Sequence, residues 1–433
     1  MNDTGLLTGI GATTEFQSGV SFWNRYGRTL YNASVAQLSY DPKFPNGTAR
    51  EPVVLRTTGQ SRIENSQINW ALGFFGPSFE TVPNPTFENI SSPFEVVIIP
   101  EGGTENNTLA SYDSYFNEND AGGAIGDEIL FTYLPKYLGP ATARLQKYAP
   151  SGFELTTNDT YAMQSICAYE YNYIGASSFC NLFTAEDWAG FENTLDIECK
   201  FPNSLSSSFL TPSDYYDYSF GNPTGRAQGI GYVQELIARL TQQYIPTSNS
   251  SVNSTLDDNP TTFPLGQPFY ADFSHDDILI SVLTAMSIDY FKDPPSITQY
   301  PPNPNRHFIL SHLTPFGARL ITETIGCSAP DPSPEEFARV AYTPSQYGYD
   351  ASNASHKFIR MRLNNGILPL NTIRGGACGD ATSGRIDGMC AMEKFLESQE
   401  GSYGLSNYQF ACFGNYTLGN LTSGMDYDGT VRE

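Results

Sequence analysis

The apolar and polar positions fall into short, well-punctuated blocks. Val53-Val54-Leu55 is an apolar run of strand size, ended by Arg56-Thr57-Thr58-Gly59. Ser61 to Phe75 then spaces its apolar residues as a helix does, and Gly76-Pro77 stops it. Phe94 to Ile99 is a second buried-strand pattern. Strand, helix, strand predicts an α/β unit. Upstream, residues 13–30 predict an amphipathic helix rich in aromatics, with Phe16, Phe22, Trp23 and Tyr26.

The pattern changes between about 102 and 265, where no segment alternates convincingly as a strand. Ala227 to Leu240 is the clearest helix there, with Ile230, Val233, Leu236, Ile237 and Leu240 at helical spacing. Segment 246–264 is rich in Ser, Asn, Thr and Pro and is expected as a surface loop. The strand signal resumes at Phe269–Phe273, followed by a helix through Ile278, Leu279, Val282, Leu283 and Met286. Phe316 to Ile325 is expected as a helix. Phe358 to Leu370 predicts a hairpin turning on Asn365-Gly366. The expected organisation is a discontinuous α/β domain, 1–101 and 266–433, with 102–265 as a mainly helical cap. There is no internal repeat.

Composition narrows the function. The 433 residues contain 23 Lys+Arg against 46 Asp+Glu, a formal net charge of −23. That balance argues against nucleic-acid binding and against docking on anionic membranes. No apolar run approaches the length of a membrane span. Eleven Asn-x-Ser/Thr sequons (Asn2, Asn32, Asn46, Asn89, Asn106, Asn158, Asn249, Asn253, Asn353, Asn415, Asn420) point to a secreted, N-glycosylated protein. The seven cysteines lack CxxC spacing, so disulfides are expected, with Cys167/Cys180 and Cys378/Cys390 forming easily closed local loops. The chain opens Met1-Asn2-Asp3-Thr4-Gly5 without the features of an export signal, which suggests that the true start lies upstream.

Two stretches carry candidate chemistry. In Phe269-Tyr270-Ala271-Asp272-Phe273-Ser274-His275-Asp276-Asp277-Ile278 a strand runs into a helix with His-Asp at the junction. Ligands of open α/β sheets bind at that strand edge, and a helix N-terminus favours anions. There His275 can bond a phosphate oxygen and Asp276 can give a proton to a leaving group; the plainer alternative is a helix cap and a surface turn. In Val53 to Ile63, Arg56 ends a strand where it could clamp a phosphate, and Arg62 sits at a helix start; the alternative is two surface arginines.

Taken together these segments resemble the histidine acid phosphatase family, within it the fungal acid phosphatases and phytases. Leu7-Thr8-Gly9-Ile10-Gly11 is similar to its LTPxG segment, with Gly9 where Pro is usual, and Arg56 to Ser66 to RxTxxxRxxxS. Val96 to Leu109, Phe179 to Thr184, Gly221 to Leu240 and Tyr270 to Ile280 resemble VVI…NNTL, FCxLFT, GNPxGxxQGxGYxxELIARLT and YADFSHDxxxIS. The resemblance runs from about residue 6 to 412. It implies a phosphoglycerate-mutase-like central mixed sheet flanked by helices, and hydrolysis of phosphomonoesters through a phosphohistidine without a metal or cofactor. It makes Arg56 and His275 substrate-binding residues, with His275 and Asp276 catalytic, Asp276 as proton donor, and Arg62 structural. It implies that Cys327 bridges to the nucleophile strand.

One family element is absent. No Arg-His-Gly occurs, and the four histidines are His275, His307, His312 and His356. The nucleophilic R-H-G-x-R-x-P segment is expected upstream of Met1, leaving this chain inactive alone and Cys327 unpaired; Cys412 is left either pairing with Cys199 or free. Only Lys136, Arg144, Lys147, Lys200, Arg226 and Arg239 lie in 102–265. That scarcity favours a broad acid phosphatase over a phytase built for a highly charged substrate. The other alternative is a non-catalytic secreted glycoprotein on the same fold.

Overall fold

The computed structural model describes residues 5–34, 36–76, 92–102, 104–114, 125–197, 215–332, 354–374, 376–379, 385–416 and 427–431. Helix α1 (Gly9–Phe22) leads through a π-helical turn at Trp23–Gly27 to a short helix at Arg28–Leu30. Strand β1 (Val53–Gly59), helix α2 (Ser61–Phe75) and strand β2 (Phe94–Pro100) follow as the apolar blocks predict. Strands β1 and β2 are parallel, Val53 beside Phe94 through Gly59 beside Pro100. The α1–α2 layer closes over them with an aromatic core of Trp23, Trp70, Phe74, Phe75 and Phe269.

Every longer element described between 102 and 265 is helical: α3 (Ile125–Gln146), α4 (Thr157–Ile174), α5 (Ala185–Ile197) and α6 (Gly225–Thr241). The disulfide Cys167–Cys180 ties α4 to the turn that follows it. Helix α6 packs on α7 (Asp276–Ala285), and both belong to one apolar core that runs into the C-terminal part. Their backbones nearly touch: a Cβ on Gly229 would lie 2.1 Å from the Ser281 carbonyl oxygen.

Of the expected strand at 269–273, only β3 (Asp272–Phe273) joins the sheet, parallel to β1 with Arg56 opposite Asp272. This gives the order β2-β1-β3. The remaining strands form a separate antiparallel sheet. The segment expected as a helix at Phe316–Ile325 is instead β4 (Leu320–Cys327), paired along its whole length with β5 (His356–Leu363). Ile321, Thr322, Thr324 and Ile325 are β-branched and suit a pleated surface better than a helix. The hairpin from β5 to β6 (Gly366–Ile367) turns on Asn364-Asn365, one residue earlier than expected, with Asn364 at φ 55°. Strand β7 (Cys390–Ala391) also pairs with β5, and the disulfide Cys378–Cys390 anchors it. Cys327 is a buried thiol at the end of β4 with no disulfide among the described residues. Cys199, offered as a partner for Cys412, lies outside the described residues, as do Asn2, Asn89, Asn353 and Asn420. No described helix is long and apolar enough to cross a membrane.

Candidate active site

The site lies at the carboxyl end of the parallel sheet, where β1, β2 and β3 all finish. His275 is the N-cap of α7, with extended backbone at φ −98° and ψ 160°. The Ser274 hydroxyl donates to the Leu109 carbonyl at 2.6 Å, which pins the strand-to-helix turn. His275 is 7 % exposed, and its imidazole makes no capping bond. Instead Nε2 meets Glu101 Oε1 at 2.7 Å. Burial disfavours the charged ring, but the Glu101 hydrogen bond, with Asp277 and the Glu101 charge behind it, raises the His275 pKa above its ordinary value.

Glu101 follows directly on β2. The same Oε1 accepts from the Thr58 hydroxyl at 2.7 Å, and Oε2 accepts from Gln60 Nε2 at 2.9 Å. Burial would push its carboxyl up, yet the His275 and Thr58 bonds and the Arg62 charge hold it below the ordinary value. Asn107 Nδ2 donates to the Thr58 hydroxyl at 2.9 Å and continues the chain of bonds. The Tyr112 ring stands edge-on to the imidazole, 5.6 Å between centroids.

Asp276 and Asp277 open α7. Burial raises both carboxyls, and each feels the charge of His275 and Arg62 in the opposite direction. Asp277 is buried and accepts from the Ile278 N–H at 2.6 Å, whereas Asp276 is half-buried at the mouth of the junction. A carboxyl so raised gives up its proton less readily than an ordinary aspartate, the direction a proton donor needs.

The two arginines of the expected site sit in different surroundings. Arg56, expected as a phosphate ligand, is 2 % exposed and spends its whole guanidinium on carboxylates. Its Nε donates to Asp272 at 2.8 Å, while its terminal nitrogens engage Glu235 and Asp257. Arg239 shares Asp272, and Tyr232 donates to the same carboxylate at 3.1 Å. Despite burial, the two arginines hold the Asp272 carboxyl well below the usual range. Such an ion cage ties α6 to β1 and β3 and holds Arg56 by four of its five N–H donors. Arg62, expected as structural, is half-buried in the first turn of α2 and has no ion-pair partner among the described residues. Its charge nonetheless acts on Glu101, His275, Asp276 and Asp277 together. Glu101, Thr58 and Tyr112 were missed by sequence reasoning; the one available signal was an acidic residue at the carboxyl end of a predicted strand. Among the described residues no group of three or more His, Cys, Asp or Glu is placed to hold a metal ion.

Comparison with known proteins identifies the family. A family model described as "Histidine phosphatase superfamily (branch 2)" matches residues 2–364. Phytase A of Aspergillus fumigatus is 30 % identical over 378 residues, 86 % of this chain and 71 % of that protein. Phytase A of Emericella nidulans is 30 % identical over 376 residues, with the same coverage, and that of Neurospora crassa 28 % over 430, or 91 % and 74 %. The crystal structure of the phytase from D. castellii superposes with a TM-score of 0.60 at 20 % identity, covering 97 % of this chain and 70 % of that one. The chain belongs to the histidine phosphatase superfamily, branch 2, and carries its α/β fold.

Proposed function

We propose that this chain binds the phosphoryl group of small phosphomonoesters between Arg62 and His275, and that Asp276 protonates the leaving oxygen. The observation that carries the reading is the meeting, at the start of α7, of His275 bonded to Glu101 and the half-buried Asp276, both acted on by the charge of Arg62, which has no ion-pair partner among the described residues. Fixed cations stabilise charge that spreads over the equatorial phosphoryl oxygens. When the P–O ester bond breaks, the electron pair stays on the leaving oxygen and the Asp276 proton neutralises it. The incoming group, by the family's chemistry, is a histidine in an R-H-G-x-R-x-P segment, and no Arg-His-Gly occurs in this sequence. The 433 residues alone should therefore bind phosphate but hydrolyse esters at background rate.

The arginines of 102–265 support a broad phosphatase over a specialised phytase. Arg226 and Arg239 are buried, and Arg144 is paired with Asp187, so few cations there are left for a hexakisphosphate. The relatives named phytase A keep phytate as the second reading. Exposed sequon asparagines, among them Asn32, Asn46 and Asn158, support secretion as a glycoprotein, which glycopeptide mapping tests. The decisive assay compares this chain with one extended by an R-H-G-x-R-x-P segment, on an alkyl ester, an activated aryl ester and phytate. The extended chain should turn over at acid pH. In it Asp276→Asn should slow the alkyl ester by roughly 10²–10⁴ and the aryl ester by less. Equal losses on both esters would remove the proton-donor role, and robust turnover by the 433 residues alone would remove the missing-nucleophile reading.

A further inference from the structure

His275 cannot turn freely toward a ligand. One ring nitrogen, Nε2, is committed to Glu101 at 2.7 Å, and that carboxylate is itself fixed by Thr58 and Gln60. Thr58 lies inside β1 and is bonded in turn by Asn107, so Glu101 is anchored to the sheet and not to a side chain that can swing. The remaining donor of the ring is Nδ1. Resting on the phosphate-site reading above, we infer that Glu101 is a positioning residue: through its bond to Nε2 it holds the His275 ring turned so that Nδ1 is presented to the bound phosphate. A carboxylate so close to an anion site opposes the anion unless it is neutralised, and the imidazolium performs that neutralisation in place. Glu101 does not itself touch the reacting atoms.

The charges facing the ring come from every side. Asp276 and Asp277 belong to its own helix, Glu101 follows β2, Asp113 stands in the turn at Ser111–Ser114, and Arg62 approaches from α2. The Tyr112 ring lies 5.6 Å from the imidazole, centroid to centroid. Among the described residues only Glu101 is hydrogen-bonded to the imidazole. Removing it should therefore change the ring's charge more than any of the others does.

The test uses the whole chain and inorganic phosphate. With four histidines in the sequence, the His275 ring proton is assigned by its loss in His275→Asn and followed by NMR from pH 4 to 9. In the unsubstituted chain it should titrate later than an ordinary histidine. In Glu101→Gln its midpoint should fall by about one pH unit or more. Phosphate affinity measured by calorimetry should then fall about tenfold at pH 7, and much less at pH 4.5, where the ring is charged in both proteins. A purely structural defect would weaken binding equally at both pH values. Phosphate binding that is unchanged or tighter in Glu101→Gln overturns the inference, tighter binding meaning that the carboxylate competes for the anion's place. Should Glu101→Gln fail to fold, a His275 midpoint at or below 6.5 in the unsubstituted chain overturns it as well. Failure of the unsubstituted chain to bind phosphate at any pH overturns the phosphate site itself.

Discussion

Arg56 and Arg62 are six residues apart in one strand–helix unit, and only their partners tell them apart. Arg56 neutralises Glu235, Asp257 and Asp272 in a buried cage. Arg56→Ala would leave Glu235 and Asp257 without their arginine, Asp272 keeping Arg239, and breaking a buried ion pair costs on the order of 3–5 kcal/mol. Its melting temperature should drop sharply and the protein should be hard to obtain. Arg62→Ala deletes a half-buried side chain without an ion-pair partner among the described residues, so its melting temperature should change little while phosphate affinity collapses. Calorimetric melting and phosphate titration of the two variants read the difference; the opposite pattern would return the ligand role to Arg56. The sequence shows two arginines with equal claims because the discriminating carboxylates lie 179, 201 and 216 residues further along the chain. The junction that holds His275 and Asp276 is legible for the opposite reason: it is a local strand-to-helix turn, which neighbouring residues announce.

Elements follow the same division. Strand β1, helix α2, strand β2 and helix α6 emerge within a residue or a few of where the apolar spacing puts them, since each is decided by its own periodicity and its own stop residues. Segment 316–325 misleads because Leu320, Ile321 and Ile325 satisfy a helical spacing as well as a strand's. The choice is made by pairing with β5, some 40 residues away, and by Phe316, which stays 79 % exposed instead of packing as a helical residue would. At this scale the contact between α6 and α7 sets the site. Gly229 lets the backbones meet, and a methyl group there would collide with the Ser281 carbonyl, which no rotamer can move aside. Gly229→Ala should therefore destabilise by about 1–3 kcal/mol as the helices part. It should also weaken phosphate binding, because the start of α7 carries His275 and Asp276. A melting temperature equal to that of the unsubstituted chain would show that the helices can separate at no cost.

The whole molecule is charged and buried in a way that suits acid. Burial raises the carboxyls of Glu15 and Asp196 to about 7, and pushes Asp257, Asp276 and Asp277 upward as well. A group whose folded pKa lies above its unfolded one adds stability that is complete below the unfolded value and is lost as pH climbs through the folded one. For Glu15 and Asp196 that loss runs from about pH 4 to 7. His275, also raised, loses its contribution from pH 6.5 upward. Glu101 and Asp272 are held low, so their contributions are present above the ordinary carboxylate range and fade only as pH falls through their depressed values. Ion pairs thus persist into acid while the buried neutral carboxyls favour it, and a net charge of −23 adds self-repulsion on the alkaline side. The melting temperature should be higher at pH 5 than at pH 8, with the fall beginning below pH 7. Asp196 accepts from Arg306 at 2.7 Å and from the Leu310 N–H at 2.7 Å, so its titration can be removed while its shape is kept. Asp196→Asn should flatten the slope between pH 4 and 7, because an amide in that place does not titrate. Scanning calorimetry across that range would sink this account if stability rose toward pH 8, because no set of raised carboxyls can produce that sign.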